Sequence, residues 1–416
     1  MVAWRRPDRA QRLLATLRER VYARLDARTG GAARLVRALT GYPGYPVAYN
    51  VNGSSERTHG QRALLLYRLK AFRLREADHE FFSHHNLRGG RLIAAVLAER
   101  GYTVDVANGI DSRRRRPAGR YDLVICDRAD LRGELPAGAT GIFLATTIEH
   151  RAHNASLRRR HARLAERRPP PVRPRRIYEE KMPYARAAHA IMAIGNELTG
   201  GSWRTVGRGP VHRFNNHGYP ETEFAFEGKN FVAARRHFLF YAGGSQVQKG
   251  LDLLLEVFPR RPDLHLYVCS PFESEAEFCA CYRKELYETA NVHPVGWVLA
   301  NGPTFRELAQ RCAFIIHPSC SDGQAGAVVH GMYAGLIPMV TREAGFDPED
   351  VGVTFADDSL EEIDRAIAEV ARQPASWHAD QSRRARRIAE STYSEEAFRD
   401  RWHALIDQLP LAGRPR

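Results

Sequence analysis

Residues His317 to Thr341 read HPSCSDGQAGAVVHGMYAGLIPMVT, and they indicate the architecture of the chain. An apolar run precedes Pro318, and a second apolar run extends from Leu336 to Val340. Between the two runs lie a glycine-bearing loop and an apolar segment of helical length. Because the order is strand, loop, helix, strand, the stretch predicts one βαβ unit of a parallel sheet. In such a sheet, ligands bind beyond the carboxyl ends of the strands.

The loop of this unit carries the residue types that an anionic ligand requires. Gly323 and Gly326 lie close to the predicted helix start, where glycine lets backbone N–H groups approach an anion and the helix dipole favours it. Asp322 precedes them, and His330 follows eight residues after Asp322, about two helical turns on. The spacing therefore predicts that Asp322 and His330 face one crevice.

These residues resemble the donor-sugar signature of the retaining, group 1 (family 4) glycosyltransferases, which have the GT-B fold. In that family a Glu-Gly pair is followed by a second glutamate eight residues after the first. Asp322 stands at the first glutamate, Gly323 at the glycine and His330 at the second glutamate. The resemblance implies that Asp322 contacts the donor sugar, the following amides contact the diphosphate, and His330 contacts the ribose.

A second motif supports the same resemblance. An apolar strand pattern at 238–242 leads into GGSQVQKG at 243–250, which is similar to the Gly-Arg and Lys-Gly motif of the family. Lys249 matches the lysine that meets the donor phosphate, whereas Gly244 stands where the family usually has arginine. The implied donor-binding residues are Gly243, Gly244, Lys249, Asp322, Gly323, Gln324, Ala325, Gly326 and His330.

The first half of the chain is similar to the acceptor domain of the family. A strand pattern at 63–67, a loop, a helix at 92–100 and a strand at 102–106 follow in order. The resemblance implies a loop at the cleft with His84, Asn86, Gly89 and Gly90. A histidine that follows a strand reaches the reacting sugar in the family, and His150 is the better match, with His153 second. The implied catalytic residues are Lys249, Asp322 and His150.

The expected fold class is α/β with the GT-B arrangement: two Rossmann-like domains with parallel sheets facing a central cleft, plus an N-terminal helical extension. The expected segments are 1–60, a basic helical extension and linker; 61–228, the N-terminal acceptor domain; 229–385, the C-terminal donor domain; and 386–416, helices that cross back to the N-terminal domain.

Charge limits the classes of partner. The chain of 416 residues has a net charge of +14, with 57 arginines and five lysines, and this excess favours anionic partners. A basic amphipathic helix is expected over 4–28, which either docks on the main body or lies on an anionic membrane surface. No basic–aromatic alternation or known reader motif is present, so no specific nucleic-acid partner is expected.

Cysteine usage and the N-terminus predict a cytoplasmic protein. The six cysteines are scattered without a CxxC pair, which favours reduced core residues over a disulfide or metal role. The N-terminus lacks the apolar segment of a secretory signal, and no apolar run reaches about 18 residues. Peripheral contact with the inner face of the membrane stays open. The sequence has no DxD pair in a loop where it could hold a divalent ion; Asp357 and Asp358 are adjacent and not separated by one residue. No cofactor and no obligatory metal are therefore expected.

The resemblance implies transfer of a sugar, with retention of configuration, from a nucleotide-sugar donor to a glycan, lipid-linked or small-molecule acceptor. Two alternatives share the scaffold. One is a non-catalytic nucleotide-sugar-binding homologue, which the departures at Gly244, Asp322 and His330 favour. The other is a related enzyme such as a nucleotide-sugar epimerase or a phosphorylase; an epimerase, unlike a transferase, needs no acceptor.

Overall fold

The computed structural model describes residues 47–53, 60–75, 78–108, 120–129, 135–219 and 228–409. The helix expected over 4–28 lies outside these residues. The chain divides into two compact units, of which the first runs up to Ile142 and takes in 410–416, and the second comprises Phe143–Leu409. The predicted segment limits at 60, 228 and 385 stay predictions.

The strands of the described part are short, and those at 62–67, 103–108, 237–241, 314–317 and 337–340 coincide with the predicted apolar runs. They are β1 (Val47–Ala48), β2 (Arg62–Tyr67), β3 (Thr103–Asn108), β4 (Leu123–Cys126), β5 (Thr140–Ala145), β6 (Ala190–Ile194), β7 (Val211–Phe214), β8 (His237–Tyr241), β9 (His265–Cys269), β10 (Val292–Pro294), β11 (Phe314–His317), β12 (Ile337–Val340) and β13 (Val353–Thr354).

Helices alternate with these strands. They are α1 (His85–Glu99), α2 (His150–Arg167), α3 (Pro183–Ala187), α4 (Glu197–Trp203), α5 (Phe231–Ala234), α6 (Gln246–Lys249), α7 (Leu251–Val257), α8 (Ala276–Cys281), α9 (Arg283–Tyr287), α10 (Pro303–Arg311), α11 (Gly326–Tyr333), α12 (Leu360–Arg372), α13 (Ala375–Thr392) and α14 (Glu395–Gln408). None of the helices in the described ranges is long and apolar enough to cross a membrane.

Within the described residues the strands form two sheets. The seven-stranded sheet has the order β1-β3-β2-β4-β5-β6-β7, and the six-stranded sheet has the order β10-β9-β8-β11-β12-β13. The pairs β2–β3, β8–β9 and β11–β12 are parallel, while β1 is antiparallel to β3. Parallel strands joined by helices require both faces of a sheet to be covered. The predicted α/β fold with two parallel-sheet domains is confirmed.

The first unit carries a buried aspartate beside its sheet. Asp105 on β3 is 1% exposed and forms an ion pair with Arg62 on β2. Its carboxylate also accepts hydrogen bonds from the hydroxyl of Tyr121 at 3.0 Å and from the amide of Asn50 at 2.8 Å. A buried charge must be paired and hydrogen-bonded. Asp105 therefore joins β2 and β3 to the segments that flank them.

The sequence prediction of a loop through Gly89 and Gly90 is wrong, because α1 already begins at His85. The helix packs on the sheet where these glycines lie: a Cβ atom on Gly90 would be 3.2 Å from Cδ1 of Tyr67. Glycine at 90 thus permits a close helix–strand approach. His84, predicted in the same loop, is the N-cap residue, and its Nδ1 accepts a hydrogen bond from the amide of Asn86 at 3.1 Å.

In the second unit, apolar side chains fill both faces of the six-stranded sheet. Phe238, Phe240, Phe314 and Ile316 point to one face, and Leu239 and Ile315 point to the other. Alternation of this kind follows from the two-residue period of a strand. The carboxyl ends of β8 and β11 are neighbours in this sheet, so the loops after Tyr241 and after His317 lie at the same edge.

Candidate active site

Lys249 is the last residue of α6, the short helix in the connection that follows β8. Gly250 comes next with φ of +83°, and a Cβ atom at this position would be 2.7 Å from Cγ of Pro318. Only glycine meets both requirements, the left-handed conformation and the close approach to the loop after β11. The Lys-Gly dipeptide of the sequence motif thus brings the two loops together. Lys249 is 8% exposed.

Two side chains contact the carboxylate of Asp322: Lys249, from the connection after β8, and His317, the last residue of β11. Its carboxylate forms an ion pair with Nζ of Lys249, and Nε2 of His317 lies 3.3 Å from its second oxygen. Burial by itself favours the neutral acid, but the charge of Lys249 and the hydrogen bond from His317 outweigh it and hold the pKa of Asp322 below its usual range. Burial lowers the pKa of His317, so the neutral imidazole donates its Nε2–H to the carboxylate. Asp322 is therefore ionised.

Burial also lowers the pKa of Lys249, and the charge of Asp322 offsets part of this effect. A second cation, Arg176, acts on Lys249 in the same direction as burial. An anion that enters beside Lys249 and Arg176 would be attracted by both. The ion pair with Asp322 favours the protonated form of Lys249.

The loop from Ser319 to Ser321 is anchored to α6. The Gln248 side-chain amide donates to the carbonyl of Ser321 at 2.6 Å, and its backbone carbonyl accepts from the amide of Cys320 at 2.9 Å. The hydroxyl of Ser319 donates to the same Gln248 carbonyl at 3.1 Å. These bonds fix the position from which Asp322 projects.

Of the predicted phosphate-binding amides, that of Ala325 is hydrogen-bonded within the protein, as is the amide of Asp322 just before them. The amides of Asp322 and Ala325 donate to the carbonyls of Glu343 and Ala344, at 2.8 and 2.9 Å. The side chain of Gln324 accepts from the amide of Asn216 at 2.6 Å. A diphosphate could use these groups only after the contacts are broken.

Gly323 is packed against backbone from two other segments. A Cβ atom on Gly323 would be 2.5 Å from the carbonyl oxygen of Thr146, and Cβ atoms on Gly195 or Gly345 would collide with the carbonyl of Gly323. Gly195 and Gly345 also have φ of +112° and +89°. We call these residues, Gly195, Gly323 and Gly345, the glycine contact. Gly326, the last glycine of the predicted donor-binding residues, is the first residue of α11.

His330, which stands at the family's ribose-binding glutamate, is covered. Its ring stacks on the ring of Tyr219, with centroids 4.2 Å apart and planes at 28°. His330 is 3% exposed and Tyr219 is fully buried. A ribose could reach His330 only if Tyr219 moved.

Of the two candidate histidines, His153 is the one that contacts the site. Its Nδ1 lies 2.8 Å from the hydroxyl of Ser321, next to Asp322, and its Nε2 lies 2.7 Å from the carbonyl of Arg176. Burial lowers the pKa of His153 to about 4. The neutral ring must donate from Nε2 to the carbonyl, so Nδ1 accepts from Ser321. Both ring nitrogens are therefore engaged.

His150, the preferred sequence candidate, lies at the first position of α2. Its Nδ1 lies 2.8 Å from the carbonyl of Glu179, and its ring stacks on Tyr178 at 4.7 Å. The six cysteines, all of which lie in the described ranges, form no disulfide. Among the described residues, no group of three or more His, Cys, Asp and Glu side chains is placed to hold a metal ion.

The loop at 243–246 holds a carboxylate that sequence reasoning missed. Oε1 of Glu275 accepts from the amide of Ser245 at 2.5 Å and from the amide of Gln246 at 3.3 Å. Glu275 comes from the segment after β9, and no local motif marks it. His317 was also missed, although its position as the last residue of β11, five residues before Asp322, was a usable signal. Gly243 lies in the same loop, and a Cβ atom added to it would have no neighbouring heavy atom within 4 Å.

The connections after β8 and β11, which carry Lys249 and Asp322, lie in the segment that the family comparison recognises. Residues 235–373 match the glycosyl transferases of group 1. The resemblance read from the two motifs is thereby confirmed, and the match supports glycosyl transfer as the activity. Assignment to family 4 and retention of configuration stay predictions. No curated protein matches the chain.

Solved structures of glycosyltransferases share the fold. Sucrose-phosphate synthase from Thermosynechococcus elongatus superposes with a TM-score of 0.60 at 12% identity, over 84% of this chain and 98% of the other. WaaG, a glycosyltransferase involved in lipopolysaccharide biosynthesis, gives 0.56 at 14% identity, over 85% and 100%. Anabaena HepE in complex with UDP and glucose gives 0.54 at 12% identity, over 84% and 100%. The predicted GT-B fold is therefore confirmed.

Proposed function

We propose that the protein transfers a sugar from a nucleotide-sugar donor to a glycan, lipid-linked or small-molecule acceptor, with retention of configuration. The observation that carries the proposal is the buried ion pair of Lys249 and Asp322, formed between the loops after β8 and β11. The match of this segment to group 1 glycosyl transferases supports it, as does the binding of UDP by HepE.

The two charges have complementary roles in such a reaction. As the bond from sugar to diphosphate breaks, negative charge grows on the leaving diphosphate and positive charge grows on the sugar ring. Lys249 would stabilise the first and the Asp322 carboxylate the second, and one preorganised group of this kind contributes roughly 3 kcal/mol. The proposal includes no obligatory metal, and it places the reaction in the cytoplasm, with membrane contact of the N-terminal segment left open.

A donor screen with matched variants tests this proposal. UDP-, GDP- and ADP-sugars are incubated with an acceptor panel, and release of nucleoside diphosphate is measured. Lys249→Ala and Asp322→Ala are each expected to lower the rate at least about tenfold, since each removes a transition-state contact. Lys284→Ala, which changes an exposed lysine, is expected to keep the wild-type rate. Full activity in both site variants would contradict the assignment.

Because Lys249 and Asp322 are both buried, folding must be separated from chemistry. The double variant Lys249→Met with Asp322→Asn removes both charges together and is expected to fold better than either single variant. If it folds yet stays inactive, the loss lies in the chemistry. The anomeric configuration of the product, read by NMR, tests retention.

A non-catalytic binding protein is the second candidate, and one observation favours it. Tyr219 covers His330, and the amides of Asp322 and Ala325 are already bonded, so the ribose and part of the phosphate positions are occupied. Nucleotide-sugar binding without turnover against every acceptor would support this candidate. An increase in nucleotide affinity in Tyr219→Ala would show that the tyrosine blocks the ribose position.

A further inference from the structure

The loop at 243–246 already binds an anion in this structure: the side-chain carboxylate of Glu275, from the same chain. Ser245 has φ of +71° and ψ of +65°, and this left-handed conformation turns successive N–H groups toward one point. The Glu275 carboxylate lies at that point, where it accepts from the amides of Ser245 and Gln246 and is 6% exposed. Lys249, buried, follows one turn further along the chain.

A positive side chain from a distant segment reaches the same carboxylate. Arg175 belongs to the stretch after α2, and its Nη1 lies 4.0 Å from Oε1 of Glu275. The same nitrogen donates to the carbonyl of Ser274 at 2.8 Å. The Arg175 side chain is 50% exposed, so it can turn toward a ligand without leaving a packed core.

Gly244 lies beside this position and contributes no charge. A Cβ atom on Gly244 would be 3.5 Å from Oε1 of Glu275, an ordinary contact distance, and its φ is not in the left-handed region. A long basic side chain at 244 would therefore extend beside the carboxylate that Arg175 already contacts. The charge that the loop lacks at 244 is supplied by Arg175.

We propose that Arg175 binds the diphosphate of the nucleotide-sugar donor, which displaces the Glu275 carboxylate from the amides of Ser245 and Gln246. The inference rests on the proposed function, because it assumes a nucleotide-sugar donor. A phosphate group has the charge and the oxygens that these amides and a guanidinium fork bind, and arginine binds it in two-pronged fashion. Lys249 then meets the diphosphate from the other side of α6.

Calorimetric titration of the full chain with UDP, GDP and ADP tests the role of Arg175. Arg175→Ala is expected to weaken the tightest of these complexes at least about tenfold, because one charge-assisted contact is lost. Arg173→Ala is the matched control: it lies two residues away, its side chain is 85% exposed, and it pairs with Glu277 instead. That variant is expected to stay within about twofold of wild type.

Restoration by a second substitution gives the stronger test. Gly244→Arg in the Arg175→Ala background is expected to recover most of the lost affinity, since it returns a guanidinium to the same place. Glu275→Gln is expected to tighten binding several-fold, because it removes the charge that competes for the amides. Arg175→Gln repeats the measurement with a side chain of similar length should the alanine variant be unstable.

The outcomes separate this inference from the proposed function. If wild type binds a nucleoside diphosphate but Arg175→Ala and Arg175→Gln bind it equally well, Arg175 has no part in binding and the inference is overturned. Failure of Gly244→Arg to restore affinity would count against it in the same way. If wild type binds none of the three nucleotides and no pyrophosphate, the nucleotide-sugar function itself fails and takes the inference with it.

Discussion

His153 shows how one buried side chain can be fixed in a single protonation state. Its ring is fully buried between Ser321 and the carbonyl of Arg176, and burial holds its pKa at about 4. The charges that face it are Asp322, which favours protonation, and Lys249 and His150, which oppose it. The imidazole is therefore neutral near pH 7 and serves to position Ser321, beside the Asp322 carboxylate.

The pKa of His153 predicts a pH dependence of stability. In the unfolded chain its pKa returns to about 6.5, so the unfolded state binds the extra proton first as the pH falls. Stability from His153 is fully present above about pH 6.5 and is lost between there and pH 4, at no more than about 1.4 kcal/mol per pH unit. Urea unfolding from pH 7 to pH 5 should show a shallower decline in His153→Gln than in wild type.

Other buried histidines, among them His161 and His317, also have lowered pKa values and add their own slopes. The informative quantity is therefore the difference between wild type and the variant at each pH. Identical slopes in wild type and His153→Gln would show that His153 has the same pKa in the folded and unfolded states.

At the scale of elements, α2 carries a fully buried guanidinium. Arg160 is 0% exposed and lies 3.5 Å from Asp252 and 2.8 Å from Asp358, and it donates to the carbonyl of Pro318 at 3.1 Å. Burial raises the pKa of Asp252 to about 6, although Arg160 and Arg167 oppose this. Arg160 thus ties α2 to α7 and to the loop that leads to Asp322.

Loss of this guanidinium should be costly. Arg160→Met leaves Asp252 buried with only Arg167 near it, and breaking a buried pair on one side costs about 3–5 kcal/mol. Arg163→Met, in which an exposed arginine that also contacts Asp358 is removed, should cost less than about 1 kcal/mol. Urea unfolding of both variants measures the difference.

Recovery of stability on adding Asp252→Asn to Arg160→Met would identify the unpaired carboxylate as the cause. Equal stability of Arg160→Met and wild type would instead mean that the cluster contributes nothing to the fold. Because the pKa of Asp252 is raised to about 6, the cost of Arg160→Met should fall as the buffer pH drops below that value and the unpaired carboxylate takes up a proton.

The strands and the two donor loops could be predicted from sequence, and some contacts could not. Apolar runs bounded by glycine and proline located β8, β11 and β12, since buried parallel strands require such runs. The start of α1 was misplaced because Gly89 and Gly90 favour a loop locally, whereas packing on Tyr67 makes glycine suitable inside the helix. Tertiary contact overrode local preference.

Within the site, Lys249 and Asp322 were predicted because their two motifs resemble those of group 1 glycosyltransferases, and the βαβ pattern also placed Asp322 beyond the carboxyl end of a strand. The stacking of Tyr219 on His330 and the contact of Arg175 with Glu275 join residues about 100 apart in sequence. No pattern of charge or hydrophobicity in a single sequence records such pairs. They depend on the course of the connecting segments.

At the largest scale, three backbone segments of the second unit pack directly against one another at the glycine contact. Gly195→Ala would place a methyl group against the carbonyl of Gly323 and force alanine into φ of +112°. We expect a loss of at least about 2 kcal/mol in the free energy of unfolding. Gly243→Ala, at a position with open space, should be close to neutral for stability. Thermal unfolding of both variants compares them, and equal midpoints would contradict the close packing.

The glycine contact has an evolutionary consequence. A crowded side chain can adopt another rotamer, and a pocket wall can be rebuilt by several compensating substitutions. Two backbone segments in direct contact allow no such compensation, because every residue other than glycine adds at least a Cβ atom between them. Homologues that diverge in their sugar pockets should therefore retain glycine at the positions of Gly195, Gly323 and Gly345.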